Sequence, residues 1–86
     1  MQLSVEISLY PLQFEDFETE VWEFIKRIRT YSNLDIVTNG MSSQVFGEYD
    51  AVMDCLNKEF KTTFERTGTH IFVCKFLMGD KSSVSE

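Results

Sequence analysis

Residues Gln2 to Tyr10 alternate without a break: Leu3, Val5, Ile7 and Leu9 on one side, Ser4, Glu6, Ser8 and Tyr10 on the other. Successive side chains of a strand point to opposite faces, so this period of two describes a strand with one buried face. The buried face needs a cover. The next stretch of chain supplies it, because Phe14, Phe17, Val21, Phe24, Ile25, Ile28 and Tyr31 recur at helical spacing. Glu15, Asp16, Glu18 and Glu20 load the start of that helix, and Lys26, Arg27 and Arg29 load its end. Both biases match the helix dipole, at ~0.3–1 kcal/mol per well-placed charge. Pro11 ends the first strand. Trp22 falls at the margin of the helical stripe, either as a residue covering the core edge or as a wall of a binding surface.

The pattern then repeats with a hairpin between its halves. Ser32-Asn33 breaks the helix and Leu34–Thr38 reads as a second strand. Asn39-Gly40 fits a tight turn, since Gly accepts positive φ and Asn tolerates it, and Ser42–Gly47 is a third strand. A second helix covers Asp50 to about Arg66, with a stripe of Val52, Met53, Leu56, Phe60 and Phe64 and with Asp50 as its cap. Gly68 suits the left-handed position that stops it. Thr69–Leu77 is a fourth strand, apolar on both faces, and the polar Gly79–Glu86 is expected to fray as a flexible tail.

Strand, helix, strand, strand, helix, strand is the split βαβ or ferredoxin-like plan, an α+β sandwich. Right-handed crossovers put the first and third strands in the middle of a four-stranded antiparallel sheet, with both helices on one face. One domain, residues 1–78, accounts for the chain. The other face of the sheet then receives Ser4, Glu6, Ser8 and Tyr10, with Ser42, Gln44 and Phe46 from the third strand. On the fourth strand the bulkier set His70, Phe72, Cys74 and Phe76 belongs to the core, leaving Ile71 and Val73 outside. A face mixing hydroxyls, a carboxylate, an amide and apolar groups is suited to meet another sheet or to hold a ligand.

The net charge of −6 disfavours nucleic acid, whose phosphates call for clustered Lys and Arg, and is compatible with a cationic small molecule. Cys55 and Cys74 lie in separate apolar patterns without CxxC or Cys/His spacing, which reads as buried free thiols in a reducing cytoplasm. No apolar run is long enough to span a membrane. Catalysis needs a positioned nucleophile or an acid–base pair. His70 is the one histidine and reads as a strand residue with a hydrogen bond, the glycines form no phosphate cradle, and no spacing pairs carboxylates. Acylphosphatases share the plan but carry a glycine-rich loop with arginine where this chain has Tyr10-Pro11-Leu12-Gln13. An RNA-recognition module would want basic residues on its central strands, and the first strand has none. The chain is therefore expected not to be an enzyme.

The wording of two stretches is more specific. ISLYPL at Ile7–Leu12 and SSQVFGEYDAVMDCL at Ser42–Leu56 resemble the YkoF-like thiamine and hydroxymethylpyrimidine-binding proteins and the related single-domain thiamine-binding family. There a "YPL" strand exit is followed by Thr-x-x-x-Gly-(Glu/Asp) leading into the second helix. Here Ser43 stands in place of the threonine, while Gly47 and Glu48 match. The resemblance implies a ferredoxin-like fold, no catalysis and no resident cofactor. It also implies binding of thiamine or its hydroxymethylpyrimidine part as ligand, and association through sheets. For a one-repeat chain a homodimer or homotetramer through the open face is expected.

The residues suit such a ligand. Asn39, Ser42, Ser43 and Gln44 can complement the ring nitrogens and amine of an aminopyrimidine. Tyr10 and Phe46 are suited to stack on it or to attract a thiazolium cation, at ~0.5–2 kcal/mol per contact. Glu6 and Glu48 can offset its charge. Ser8 and Met41 complete the expected surface. Each of these residues also has a plain reading as turn, strand or cap material. The competing functional reading is an ACT-like regulatory or dimerisation module with another ligand or only a protein partner, although the glycine-rich first loop of that class is absent between Tyr10 and Phe14.

Overall fold

The computed structural model of the chain describes residues 1–11, 17–67 and 70–83, with Pro11, Phe17 and Thr67 described as backbone only. The order is β1 (Gln2–Pro11), α1 (Phe17–Ile28), β2 (Asp35–Thr38), β3 (Ser43–Glu48), α2 (Tyr49–Thr67) and β4 (His70–Met78). The sheet runs β2-β3-β1-β4 with every neighbouring pair antiparallel, so β1 and β3 are central and the fold is a ferredoxin-like α+β sandwich. The expected start of the first helix at Phe14–Asp16, the helix stop at Gly68 and the strand start at Thr69 lie outside the described residues.

Alternation along β1 sets the sides of the whole sheet. Val5 faces Val45 on one flank and Phe76 on the other, and Ile7 faces Ser43 and Cys74. Directly opposed residues share a face, so these pairs lie towards the helices. The core there is Leu3, Val5, Ile7, Phe24, Ile28, Leu34, Val45, Val52, Cys55 and Leu56. Phe60 and Phe72 extend it, their ring centroids 4.2 Å apart, with Phe24 5.2 Å from Phe72. Each fully buried aliphatic or aromatic side chain contributes about 1.5–3 kcal/mol to folding. Phe76 is on the helix-facing side but half-exposed, as the flank of the edge strand β4.

β1 ends at Pro11 as expected, with Pro11 as its last residue, paired with His70. Two local expectations are corrected. The α-helical part of α1 ends at Ile28, not at Tyr31. Its last turn tightens into i→i+3 bonds from Thr30 N to Arg27 O and from Tyr31 N to Ile28 O, and the Thr30 hydroxyl closes on Arg27 O at 2.7 Å. The Asn39-Gly40 turn is not built on positive φ, which among the described residues belongs to Gly79 at +104°. Instead the Asn39 side chain organises the loop: its Oδ1 accepts Met41 N at 2.8 Å and Ser42 N at 3.0 Å, while Asn39 N donates to Ser42 O. That is an Asx-turn, in which a carboxamide replaces a backbone acceptor.

Gly79 turns the chain back over the open face. Its N–H donates to Gln2 O, the Ser4 hydroxyl donates to its carbonyl at 2.8 Å, and Lys81 N donates to Ser4 Oγ at 2.9 Å. Phe46, beside Ser4 on that face, is only 7% exposed, and Leu77 and Lys81 line a recess with it.

Gly47 has a packing reason for its identity. A Cβ there would stand 2.6 Å from Leu34 Cδ2, 3.5 Å from Val52 Cγ2 and 3.6 Å from Asn33 O. Leu34 is buried and must move to make room. Gly47→Ala is expected to lower stability by about 1–3 kcal/mol through overpacking. The urea midpoint reads this directly, and adding Leu34→Ala should make the pair less damaging than the sum of the two changes.

Candidate ligand-binding site

A cavity of about 480 Å³ opens between α1 and the β2–β3 hairpin, at the end of the sheet where β1 leaves it. Ile7 and Leu9 of β1 and Val21, Phe24 and Ile25 of α1 give it an apolar wall. Thr38, Asn39, Gly40, Met41, Ser42 and Ser43 form the opposite side, with Ser8 and Tyr10 completing it. The local sequence accounts for both sides. Val21, Phe24 and Ile25 are on the inward stripe of α1, and Thr38 and Ser43 are the last ladder pair before the Asx-turn. Their hydroxyls lie 3.2 Å apart on the helix-facing side, where two larger side chains would close the cavity. A pocket with an apolar floor and a few convergent polar groups is the usual form of a small-molecule site.

The candidate residues separate into three groups. Ser8, Tyr10, Asn39, Met41, Ser42 and Ser43 come together around this cavity. Glu6, Gln44 and Phe46 lie instead in the open-face recess of about 210 Å³ with Ser4, Lys75, Leu77 and Lys81. Glu48 joins neither. It pairs with Gln2 and its carboxylate accepts from the Met1 ammonium at 3.0 Å, five residues along β3 from Ser43, or about 16 Å at ~3.3 Å per residue. Ser42 bridges the first two groups: it lines the cavity while its hydroxyl donates to Glu6 Oε2 at 3.1 Å, and Glu6 Oε1 is 3.5 Å from Lys75 Nζ. Of the residues missed by sequence reasoning, Ile7, Leu9, Val21, Phe24, Ile25 and Thr38 read as core or plain strand and Gly40 as turn. Alternation marks the first six as inward but says nothing of a gap beside them.

The strongly perturbed groups lie away from this cavity. Between α1 and α2, Arg27 Nε donates to Glu59 Oε1 at 2.8 Å and Tyr31 OH to Glu59 Oε2 at 2.6 Å, while Arg27 also donates to the Thr63 hydroxyl. Its hydrogen bond to Glu59, then burial, push the Tyr31 phenol up to about 12. Burial, then the Glu59 charge, push the Cys55 thiol up to about 12, and burial raises Cys74 as well. Thiols held protonated are poor nucleophiles. Among the described residues no three His, Cys, Asp or Glu side chains gather to hold a metal ion, and no helix is long and apolar enough to cross a membrane.

These raised values set an alkaline limit to stability. The folded state holds the Cys55 and Tyr31 protons more tightly than the unfolded chain, whose groups titrate near their ordinary 9.0 and 10.0. The contribution is therefore present in full below about pH 9 and is lost as pH rises towards about 12. The urea midpoint should fall across that window, and Cys55→Ala with Tyr31→Phe should flatten the fall.

The fold and the cavity define a small ferredoxin-like binding domain. The chain belongs to the YKOF-related family, whose model matches residues 2–80. No curated protein matches it. Solved structures similar to it include a hypothetical protein of Methanocaldococcus jannascii, 18% identical, with a TM-score of 0.78 over 95% of this chain and 84% of that one. Another is a Thermotoga maritima protein provisionally assigned to thiamine biosynthesis or salvage, 15% identical, with a TM-score of 0.77 over 88% of this chain and 82% of that one. A third is a Streptococcus pneumoniae protein, 17% identical, with a TM-score of 0.75 over 98% and 93%. At these identities the likeness is one of fold.

Proposed function

We propose that this protein binds thiamine or its hydroxymethylpyrimidine moiety without transforming it, and serves thiamine salvage or transport in the cytoplasm. The observation that carries the reading is the cavity between α1 and the hairpin, with a wall of Ile7, Leu9, Val21, Phe24 and Ile25 opposite the Thr38–Ser43 hydroxyl pair and the loop held by Asn39. A planar aminopyrimidine buries its faces against apolar carbon and exchanges hydrogen bonds at its edge, which matches this division. Membership of the YKOF-related family and the assignment of the Thermotoga maritima protein support the same ligand class. Calorimetric titration with hydroxymethylpyrimidine and with thiamine tests it. Saturable binding of at least one is expected, and no heat from either at millimolar concentration would contradict the proposal.

The open face supports a second element of the proposal, self-association as a homodimer or homotetramer. Tyr10, Val37, Ile71, Val73 and Leu77 lie on it, each between 45% and 54% exposed, which is much apolar surface for one side of an 86-residue chain. Sedimentation equilibrium should give a mass above one chain, and Val73→Lys should shift it towards the monomer.

A further inference from the structure

We propose that the cavity takes the ligand as a free alcohol and excludes its phosphate and pyrophosphate esters, an inference that rests on the thiamine-class reading of the site. The described side chains around the cavity include no Asp, Glu, Lys, Arg or His. The chain that supplies its walls lacks basic side chains over a longer span: residues 1–25 contain no Lys, Arg or His, and neither do residues 30–57, while the Met1 ammonium is held by Glu48 at the far end of β3. The first basic residue after the α1 wall is Lys26, which is turned outwards and stands 3.6 Å from Glu23. Lys75 is on the opposite face of the sheet, against Glu6. A helix N-terminus can hold a phosphate through its free N–H groups, but the first turn of α1 already carries Glu18 and Glu20, whose charges oppose an anion there.

Recognition of phosphate in a closed site uses Arg or Lys, and an anion taken from water into apolar surroundings without a partner is strongly disfavoured. Neutral hydroxymethylpyrimidine meets no such penalty. Thiamine carries a cation, which the acidic balance of the chain tolerates. The device is therefore one of exclusion: the hydroxyl and amide groups of the hairpin satisfy the heterocycle, and the lack of a cation rejects the ester.

Parallel calorimetric titrations of the full chain with hydroxymethylpyrimidine, thiamine and the monophosphate of each test this. Each ester is expected to bind at least about tenfold more weakly than its alcohol, the loss of one unpaired polar contact already being of that order. Met41→Lys places an ammonium on the rim, where Met41 is 90% exposed, and is expected to narrow the ester-to-alcohol ratio, less so at high salt. An ester that binds as tightly as its alcohol overturns the exclusion while leaving the binding function intact. Silence from all four compounds overturns the reading of the site and the exclusion with it.

Discussion

Replacing Phe24 with alanine is expected to cost the fold about 3–5 kcal/mol, the range for removing a buried aromatic side chain and leaving its space unfilled. Phe24 is 2% exposed and holds three neighbours at once: Phe72 at 5.2 Å, Phe60 at 6.0 Å and the Arg27 guanidinium over its ring at 5.9 Å. Phe60 and Phe72 are already packed on each other, and the gap would join the cavity that Phe24 walls. A chain of 86 residues has a total stability of roughly 4–13 kcal/mol, so the variant should lose a large part of it. Thermal unfolding by circular dichroism should show a fall of more than about 10 °C in the midpoint, at ~4–8 °C per kcal/mol for a domain of this size. Phe24→Leu keeps most of the volume and should cost less than about 1.5 kcal/mol. A Phe24→Ala variant with an unchanged midpoint would show that the three-way contact of α1, α2 and β4 does not hold the layers together.

Glu59→Ala is expected to cost about 2–3 kcal/mol. Glu59 is 7% exposed and its carboxylate serves Arg27 and Tyr31 together, so its loss takes the counter-charge from a largely buried guanidinium, which keeps only the Thr63 hydroxyl and the residue 59 carbonyl, and the acceptor from the Tyr31 phenol. Breaking a fully buried pair from one side costs about 3–5 kcal/mol, and the remaining exposure of the Arg27 side chain, 23%, puts this case below that range. Glu59→Gln keeps one acceptor oxygen, for Arg27, and turns its amide N–H towards the Tyr31 oxygen, and should fall between wild type and Glu59→Ala. The same variant has a spectroscopic signature. The Tyr31 phenol is raised to about 12 chiefly by its bond to Glu59, so tyrosinate absorbance should appear at lower pH once that bond is gone. A double replacement, Arg27→Met with Glu59→Leu, removes both charges and should recover most of the loss, because an apolar pair of similar volume has no desolvation to offset.

The sidedness of the sheet was legible because β1 alternates so cleanly. Once Leu3, Val5 and Ile7 were assigned inwards, the antiparallel ladder fixed Val45 inwards and Glu6, Gln44, Ile71 and Val73 outwards. The fourth strand, apolar on both faces, was placed by bulk, and Phe72 and Cys74 do pack against the core. The Arg27–Glu59–Tyr31–Thr63 network was not legible. Glu59 and Thr63 sit on the buried side of α2, but a charged residue inside an apolar stripe reads as a gap until Arg27 of α1 and Tyr31 of the turn after it are placed beside it. Phe64, read as part of that stripe, is 46% exposed.

The cavity escaped the sequence for a different reason. Periodicity says which way a side chain points, not where a helix stops covering a sheet. The expected ligand surface was the open face together with the turn beside it; Ser8, Tyr10, Asn39, Met41, Ser42 and Ser43 line the cavity at the hairpin end, while Glu6, Gln44 and Phe46 line the open-face recess. The Asx-turn explains why: with Asn39 Oδ1 holding Met41 N and Ser42 N, the loop is fixed in place opposite Val21 and Ile25.

Amide and methyl NMR shifts of the labelled protein, followed as hydroxymethylpyrimidine is added, test the central claim most directly. Ile7, Val21, Ile25, Asn39 and Ser43 around the cavity should shift together and saturate, while Val37, Ile71, Val73 and Leu77 on the open face should stay. Saturable shifts confined to the open-face residues would place the ligand on the wrong side of the sheet for this account, and the absence of shifts at both places would contradict it altogether.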